Sequence, residues 1–380
     1  MADSSPLAVY IHWPYCTRIC PYCDFNVYKS KDGNLDLVQA ILTDLQGWRD
    51  WSGPRRIHSI HFGGGTPSLL SAKEISQLIN KINDLWGLPK ETEIALEANP
   101  IDADEKQWSK YRDAGINRLS LGVQTFHEPA LKTLGRDHNS EQAVSALNLA
   151  TSIFHSVSAD LIFGWAGQTA EDLDSDIERL LKCGVQHIST YQLTIEPGTA
   201  FAKAESRGQS RAVDADKSAD FFEQAMKQLK RAGFDHYEVS NFALPGHKSK
   251  HNLSYWRGYD YVGVGPGAHG RLTIKGQRIS TIAALTPSSY HSTVTKAGIG
   301  IVDRETLTAA EWSEEFVLMG LRTDEGISLK EFAEIRGEEL AKSRVDTLVK
   351  DGFLMAKNNH LIATQKGRFL LNSVTDALLI

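Results

Sequence analysis

Cysteine is scarce in this chain, which has only four in 380 residues. Four cysteines are too few to staple a chain of this length, so we do not expect a disulfide framework. Three of them nevertheless lie close together in the segment YCTRICPYCDF, residues 15–25. Their function must therefore be sought in what they bind together.

Positive charge is not in excess, and long apolar runs are missing. The formal net charge of −6 lacks the basic excess that holds proteins on nucleic acid or anionic lipid. No run reaches the ~18 consecutive apolar residues typical of a membrane span. The first residues, MADSSPLAVY, show no signal-peptide pattern. We therefore expect a cytoplasmic protein that does not bind nucleic acid.

The remaining composition is ordinary, with 41% hydrophobic and 23% charged residues, and it predicts a large α/β domain plus a smaller one. Apolar runs predict six buried strands, at residues 7–13, 56–62, 93–100, 117–124, 155–164 and 187–194. Segments with helical spacing lie between them, including residues 71–86 and 169–184. This alternation predicts a parallel sheet, either doubly wound or curled into a full or partial barrel.

Polar and glycine-rich motifs fall near the ends of these predicted strands. In chain order they are the cysteine loop, GGGTP at residues 63–67, Glu97, Gln124 and Asp160. Loops at the carboxyl edge of a parallel sheet converge and bind ligands. We therefore expect one site that is assembled from five loops.

The spacing C-x3-C-x2-C of Cys16, Cys20 and Cys23 suits an iron–sulfur cluster. Three thiolates can hold three irons of a cubane and leave the fourth iron open to a cofactor. Zinc is the alternative, because His12 could complete a Cys3His set, although it would have to leave the first strand to do so. Cys183, near the end of a predicted helix, is expected to be a buried small hydrophobe.

With Tyr22 before its last cysteine, this motif resembles the signature of the radical S-adenosylmethionine (SAM) superfamily. The longer pattern YIHWPYC…CPYCDF, HFGGGTP, LSLGVQTF, LGRDH and HNLSYW resembles the oxygen-independent coproporphyrinogen III dehydrogenase relatives, and within them the HemW heme chaperone family. The resemblance implies a radical SAM partial (β/α)6 barrel. In that fold, SAM chelates the open iron of a [4Fe-4S] cluster.

The resemblance also implies roles for individual residues. The cluster ligands would be Cys16, Cys20 and Cys23. Residues matching those around the SAM on the open iron are Tyr10, Gly64, Gly65, Thr66 and Glu97. Residues matching those that contact a second SAM in the dehydrogenase are Tyr22, Gln124, Arg136 and Asp160. The motif HNLSYW matches one associated with heme, with His251 as an iron ligand or a hydrogen-bonded core residue and with Tyr255 and Trp256 as flat apolar surface.

After about residue 300 the pattern changes to short helices and a hairpin. The segment DGFLMAKNNHLIAT, residues 351–364, predicts two strands that turn at Asn358-Asn359. The resemblance implies a small winged-helix-like α+β domain here, and no extended basic face suggests DNA. We expect the radical SAM core in residues 1–235, an extension with the HNxxYW motif in 236–300, and the C-terminal domain in 301–380.

Phe25 separates two functions within the family. The dehydrogenases resemble C-x3-C-x2-C-x-C, whereas position 25 here is phenylalanine, as in the HemW branch. The dehydrogenase also carries an additional N-terminal segment, whereas only nine residues precede Tyr10. The resemblance thus favours a chaperone that binds the cluster, SAM and heme and passes heme to recipient proteins, including respiratory ones at the membrane. The alternatives are oxidative decarboxylation of coproporphyrinogen III and a zinc-stabilised binding protein.

Overall fold

The computed structural model describes residues 5–29 and 36–379. Strands in these residues are β1 (Leu7–Trp13), β2 (Tyr15–Cys16), β3 (Tyr28–Lys29), β4 (Ile57–Gly64), β5 (Glu93–Ala98), β6 (Arg118–Gln124), β7 (Ser156–Phe163), β8 (His187–Gln192), β9 (Asp235–Glu238), β10 (Asn241–Ala243), β11 (Asp260–Val264), β12 (His269–Ile274), β13 (Gln277–Ala283), β14 (Ile301–Thr306), β15 (Ile327–Ser328), β16 (Leu354–Lys357) and β17 (His360–Ala363).

Helices connect and cover these strands. They are α1 (Leu37–Ser52), α2 (Ala72–Trp86), α3 (Glu105–Asp113), α4 (Glu128–Thr133), α5 (Ser140–Ile153), α6 (Ala170–Lys182), α7 (Ala200–Glu205), α8 (Ala215–Arg231), α9 (Lys250–Trp256), α10 (Pro287–Ala297), α11 (Ala309–Gly320), α12 (Leu329–Arg336), α13 (Lys342–Lys350), α14 (Gln365–Phe369) and α15 (Leu371–Leu379). None of the helices in the described ranges is long and apolar enough to cross a membrane.

Six parallel strands form the centre of a 12-stranded sheet, in the order β1, β4, β5, β6, β7, β8. Each corresponds to one of the six predicted runs. Ser71 and Thr169 cap α2 and α6 with capping boxes, so these two helices begin where the sequence predicts. The outer strands β1 and β8 pair with β11 and β10 rather than with each other. The sheet is therefore an open, partial barrel, as predicted.

The other six strands of this sheet were not predicted. β11 adds parallel to β1, and β12, β13 and β14 extend that edge in antiparallel fashion. Helix α9, which carries HNLSYW, lies between β10 and β11 in the chain and is capped by Ser249. Its backbone meets the start of β5, where the Glu93 carboxylate accepts a hydrogen bond from the His251 amide at 3.0 Å. The helix thus begins at the amino end of the parallel strands.

The described residues contain two large hydrophobic cores and two smaller clusters. The main core contains the inward faces of the parallel strands and also Cys183, which is buried as predicted. A second core draws its buried residues from between Phe316 and Leu378, around a small sheet in the order β15, β17, β16. The predicted hairpin is confirmed, since Asn358 and Asn359 join β16 to β17 with φ of 50° and 61°.

Candidate cluster and cofactor site

The carboxyl ends of the parallel strands surround a cavity of about 370 Å³. Most of the predicted site residues line it, namely Cys16, Cys20, Tyr22, Cys23, Gly64, Gly65, Thr66, Glu97, Gln124, Arg136 and Asp160. Tyr10, His251, Tyr255 and Trp256 do not. The expectation of one site assembled from several loops is therefore confirmed for the cysteines and their neighbours, while the HNLSYW residues lie elsewhere.

Backbone hydrogen bonds fasten the cysteine loop to the GGGTP segment. The amide of Gly65 donates to Trp13 O at 2.7 Å, and the amide of Thr66 donates to Tyr15 O at 2.9 Å. A Cβ on Gly65 would lie only 2.7 Å from Tyr15 O, so a side chain there would push the two segments apart. These glycine-rich residues therefore set the position of the chain that enters Cys16.

His12 is fully engaged and cannot serve as the fourth ligand of a zinc site in this conformation. Its Nδ1 is hydrogen-bonded to Tyr10 Oη and its Nε2 to Asn26 O, each at 2.9 Å. Within residues 5–29 and 36–379, no three His, Cys, Asp or Glu side chains converge as ligands of a single metal ion would. The cysteines of a [4Fe-4S] cubane need not converge on one point, because each of them binds a different iron.

The three loop cysteines are free thiols beside one buried cation. Burial raises the pKa of Cys16, and it raises the pKa of Cys23 to about 11. Arg136 Nη1 donates to Cys20 Sγ at 3.3 Å. Cluster binding requires the thiolate form, so a guanidinium at this position stabilises the charge that the ligands must carry.

Arg136 forms no ion pair with a carboxylate among the described residues. Its Nη2 donates to Asn99 Oδ1 and, at 3.0 Å, to Gly122 O. Burial alone would lower the pKa of Arg136, but the neighbouring Tyr22 and Cys20 outweigh it and the pKa is raised. The site therefore contains a fixed cation whose charge is available to the cluster and to an anionic group of a ligand.

Two carboxylates face the cavity, Glu97 from β5 and Asp160 from β7, on either side of β6. Glu97 accepts a hydrogen bond from His61 Nε2 at 2.8 Å and one from the Gly64 amide at 3.2 Å. Burial, with a contribution from Glu97, raises the pKa of Asp160 to about 7. No cation pairs with Asp160 in the described parts of the chain; Ser120 lies 3.5 Å from its Oδ1. Asp160 could therefore compensate a positive charge brought in by a ligand.

Gln124 ends β6 with a left-handed backbone, at φ 69°. A positive φ is uncommon for a residue other than glycine and often marks a functional position. Over residues 5–29 and 36–379 its side-chain amide forms no hydrogen bond, yet it lines the cavity. The amide is therefore free to contact a bound molecule.

A second cleft, of about 420 Å³, adjoins the first. The two share Phe25, Gly64 and Glu97 in their walls, and Phe25 is 63% exposed. Tyr10 lines this cleft, and so does Tyr255 of HNLSYW. A molecule in the second cleft would thus lie next to one in the first cavity, which contains the three cysteines and is called the cluster cavity below.

His251 is buried in the barrel, not exposed in either cavity. Its Nδ1 is hydrogen-bonded to Ser59 Oγ at 2.9 Å and its Nε2 to Tyr255 Oη at 2.8 Å. Burial lowers the pKa of His251 well below its usual value. Trp256 lies apart: it packs against the small cluster of Tyr237, Ala243 and Leu253, it lines a third cavity, and the Arg322 guanidinium lies over its ring.

Sequence reasoning missed His61 and Asn99, which position Glu97 and Arg136. His61 is the first residue of the HFGGGTP motif, and Asn99 lies in the predicted strand 93–100, two residues after Glu97. Polar side chains flanking a glycine loop or ending a strand were therefore the available signal.

Comparisons with known proteins agree with this geometry. Residues 10–180 match the radical SAM superfamily and residues 307–370 match the HemN C-terminal domain. A radical SAM domain implies a [4Fe-4S] cluster and SAM, and the three thiols with their guanidinium fit both. A solved structure, coproporphyrinogen III oxidase (HemN) from Escherichia coli, matches with a TM-score of 0.82 at 20% identity, covering 99% of this chain and 90% of that one. That likeness shows the shared fold.

Relatives of similar length share more sequence. The chain is 35% identical to heme chaperone HemW of Haemophilus influenzae, covering 100% of this chain and 99% of the relative. It is equally similar to heme chaperone HemW of Escherichia coli, with 100% of both covered. Radical S-adenosyl methionine domain-containing protein 1, mitochondrial, of Bos taurus is also 35% identical, over 99% of this chain and 88% of the relative. This chain therefore belongs to the HemW heme chaperone family within the radical SAM superfamily.

Proposed function

We propose that this chain binds heme and transfers it to recipient heme proteins, with its cluster and SAM supporting that transfer. Relatives that carry the name heme chaperone align with it along its whole length. The observation that carries the proposal is Phe25, an exposed aromatic ring in the wall of both cavities. The dehydrogenase pattern has a cysteine at this position, and phenylalanine offers a porphyrin apolar surface instead.

The proposed cluster ligands are Cys16, Cys20 and Cys23. Arg136 would lie beside the cluster and balance part of its negative charge, because its guanidinium already contacts Cys20. The fourth iron would remain open toward the cavity. In this arrangement the protein supplies orientation and charge, and the bound cofactors supply any electron transfer.

SAM would occupy the same cavity. The sugar hydroxyls of SAM would donate hydrogen bonds to the Glu97 carboxylate, and SAM would also contact the backbone of residues 64–66. Tyr10 lies in the second cleft, on the other side of the shared wall. Tyr22, Gln124, Arg136 and Asp160 would form the outer part of the site. The support is that three of these side chains lack a partner in the described chain. The Arg136 guanidinium has no carboxylate, the Asp160 carboxylate has no cation, and the Gln124 amide has no hydrogen bond. SAM carries a carboxylate and a sulfonium that would satisfy the first two.

Heme would bind on the HNLSYW side of the site. Tyr255 already lines the second cleft, whereas Trp256, the next residue of α9, lines a separate cavity. His251 could ligate iron only after releasing Ser59 and Tyr255, so ligation there would require α9 to move. We propose that handover takes place in the cytosol, with contact at the membrane when the recipient is a respiratory protein.

A product assay tests this proposal against porphyrin oxidation. Anaerobically reconstituted protein would be incubated with reductant, SAM and coproporphyrinogen III, beside an active dehydrogenase as positive control. We expect unchanged substrate by mass spectrometry, together with heme transfer from the loaded protein to an apo-cytochrome. Stepwise loss of two carboxyl groups would overturn the proposal, and a colourless protein that contains zinc but no iron would establish the zinc alternative.

A further inference from the structure

His269 is the first residue of β12 and lies at the rim of the second cleft. Its side chain is exposed, and neither ring nitrogen has a hydrogen-bond or ion-pair partner in residues 5–29 and 36–379. Partial burial and the nearby Arg271 lower the pKa of His269. At neutral pH the imidazole is therefore in the uncharged form that binds iron.

The contrast with His251 is sharp. Both nitrogens of His251 are committed inside the barrel, whereas those of His269 are open to a molecule in the cleft. An exposed ligand can bind and release a cargo without breaking buried hydrogen bonds. That property suits a carrier, which must let its cargo go.

The position of His269 is fixed relative to the cysteine loop. Asn26 Nδ2 donates to Pro266 O at 2.9 Å and to Leu285 O at 2.8 Å. The first bond ties the turn before β12 to the segment that follows Phe25, and the second ties the residues after β13 to it. The histidine and the phenylalanine therefore face the same cleft from two segments that are held together.

Aromatic side chains line a large part of the cleft. Tyr255 and Tyr261 pack edge to face, with ring centroids 4.7 Å apart, and both line the cleft with Phe25. Phe25 is 63% exposed, so a bound molecule that covered its ring would remove apolar surface from water. A flat apolar molecule with one metal-binding position matches a wall of aromatic rings beside a free imidazole.

We infer that His269 is an axial ligand of heme iron in the second cleft, with Phe25 against the porphyrin face. The inference rests on the proposed function and specifies where and how the heme is held. Since Gly64 and Glu97 line both cavities, the heme would lie beside the SAM of the first cavity.

A heme titration of the full-length, cluster-loaded protein under anaerobic conditions tests the inference. Ferric heme would be added to the wild type, His269→Ala, His251→Ala and His360→Ala, and the Soret band and the EPR spin state of the heme would be recorded. His360 is a matched control, because it is an exposed histidine on the small C-terminal sheet, remote from the cleft residues. Iron content and circular dichroism would verify the cluster and the fold.

We expect the wild type and His360→Ala to give the same histidine-ligated spectrum. His269→Ala should lose that spectrum and bind heme about tenfold more weakly or worse, and added imidazole should restore the spectrum. An unchanged spectrum and affinity in His269→Ala, with both altered in His251→Ala, would overturn the inference and leave the proposed function standing. Absence of heme binding by the wild type would overturn the proposed function itself.

Discussion

The imidazole rings of His61 and His251 stack inside the barrel, with centroids 4.8 Å apart and an angle of 18° between the planes. His61 is hydrogen-bonded to Glu97 in the cluster cavity, and His251 to Tyr255 at the second cleft. A continuous series of contacts therefore joins the two cavities. The stack places one side-chain contact between the hydrogen-bond partners of the two cavities.

Replacing His61 tests whether its hydrogen bond to Glu97 supports SAM binding. His61→Phe should keep the ring stack but remove the donor to Glu97, leaving that carboxylate less well oriented. We expect SAM affinity to fall about tenfold, the order expected for a hydrogen bond to a charged group. Isothermal titration calorimetry on cluster-loaded protein measures it, with His61→Gln as the control that retains an N–H donor. Equal SAM affinity in wild type and His61→Phe would exclude a role for this bond.

Arg136 should be needed in its guanidinium form. Arg136→Gln removes the charge, whereas Arg136→Lys keeps it but loses the planar fork that reaches Cys20, Asn99 and Gly122 together. We expect both variants to bind SAM about 10- to 100-fold more weakly. Arg112→Gln, an exposed arginine on α3, is the control and should bind SAM normally. Full affinity in Arg136→Lys would show that charge alone is sufficient.

The cysteines should divide into two classes. Alanine at Cys16, Cys20 or Cys23 should abolish the cluster, because each thiolate holds a separate iron. Alanine at Cys183 should leave iron and sulfide content unchanged, since that side chain is packed in the main core. Elemental analysis and the visible absorbance of anaerobically reconstituted samples distinguish the classes. A Cys183 variant without iron, or a loop variant with a full cluster, would contradict the assignment.

Asp44 should make stability depend on pH. This buried carboxylate accepts hydrogen bonds from Tyr290 Oη at 2.5 Å and the Gly300 amide at 2.8 Å, and burial raises the pKa of Asp44 to about 7. The folded state thus holds the proton more tightly than the unfolded state. Its stabilising contribution is full below the unfolded pKa of 3.8 and is lost as pH rises through about 7.

Asp44→Asn, which cannot ionise, should therefore lose less stability than the wild type between pH 5 and pH 8. Thermal unfolding followed by circular dichroism at several pH values measures the difference, and Asp84→Asn on the exposed face of α2 is the control. If the melting temperatures of wild type and Asp44→Asn change in parallel with pH, the ionisation of Asp44 does not affect stability.

The parallel strands and the cysteine loop could be predicted because their signals are local. Each of the six strands is a continuous apolar run, and the three cysteines lie close together in the chain. β11 was missed because glycine interrupts it: a Cβ at Gly263 would collide with His269 O on the neighbouring strand, so close strand packing requires the residue that weakens the pattern.

Contacts between distant segments could not be predicted. The burial of His251 depends on α9 meeting β4 and β5, and nothing in HNLSYW alone distinguishes a buried histidine from an exposed one. Arg136 can donate hydrogen bonds to Asn99 and Cys20 only because three loops meet at the edge of the sheet. A motif supplies the residue types of a site, whereas the fold decides which of them remain free to bind.

The cysteine loop is held in place by the protein itself, through the backbone bonds from Gly65 and Thr66 and through the bonds of Asn26 to Pro266 and Leu285. We therefore expect its conformation to depend on iron less than that of a small zinc-dependent domain does. Oxygen that destroys the cluster should leave a folded protein with its thiols still gathered. The cell could then repair such a molecule by rebuilding the cluster, without degrading and resynthesising the chain.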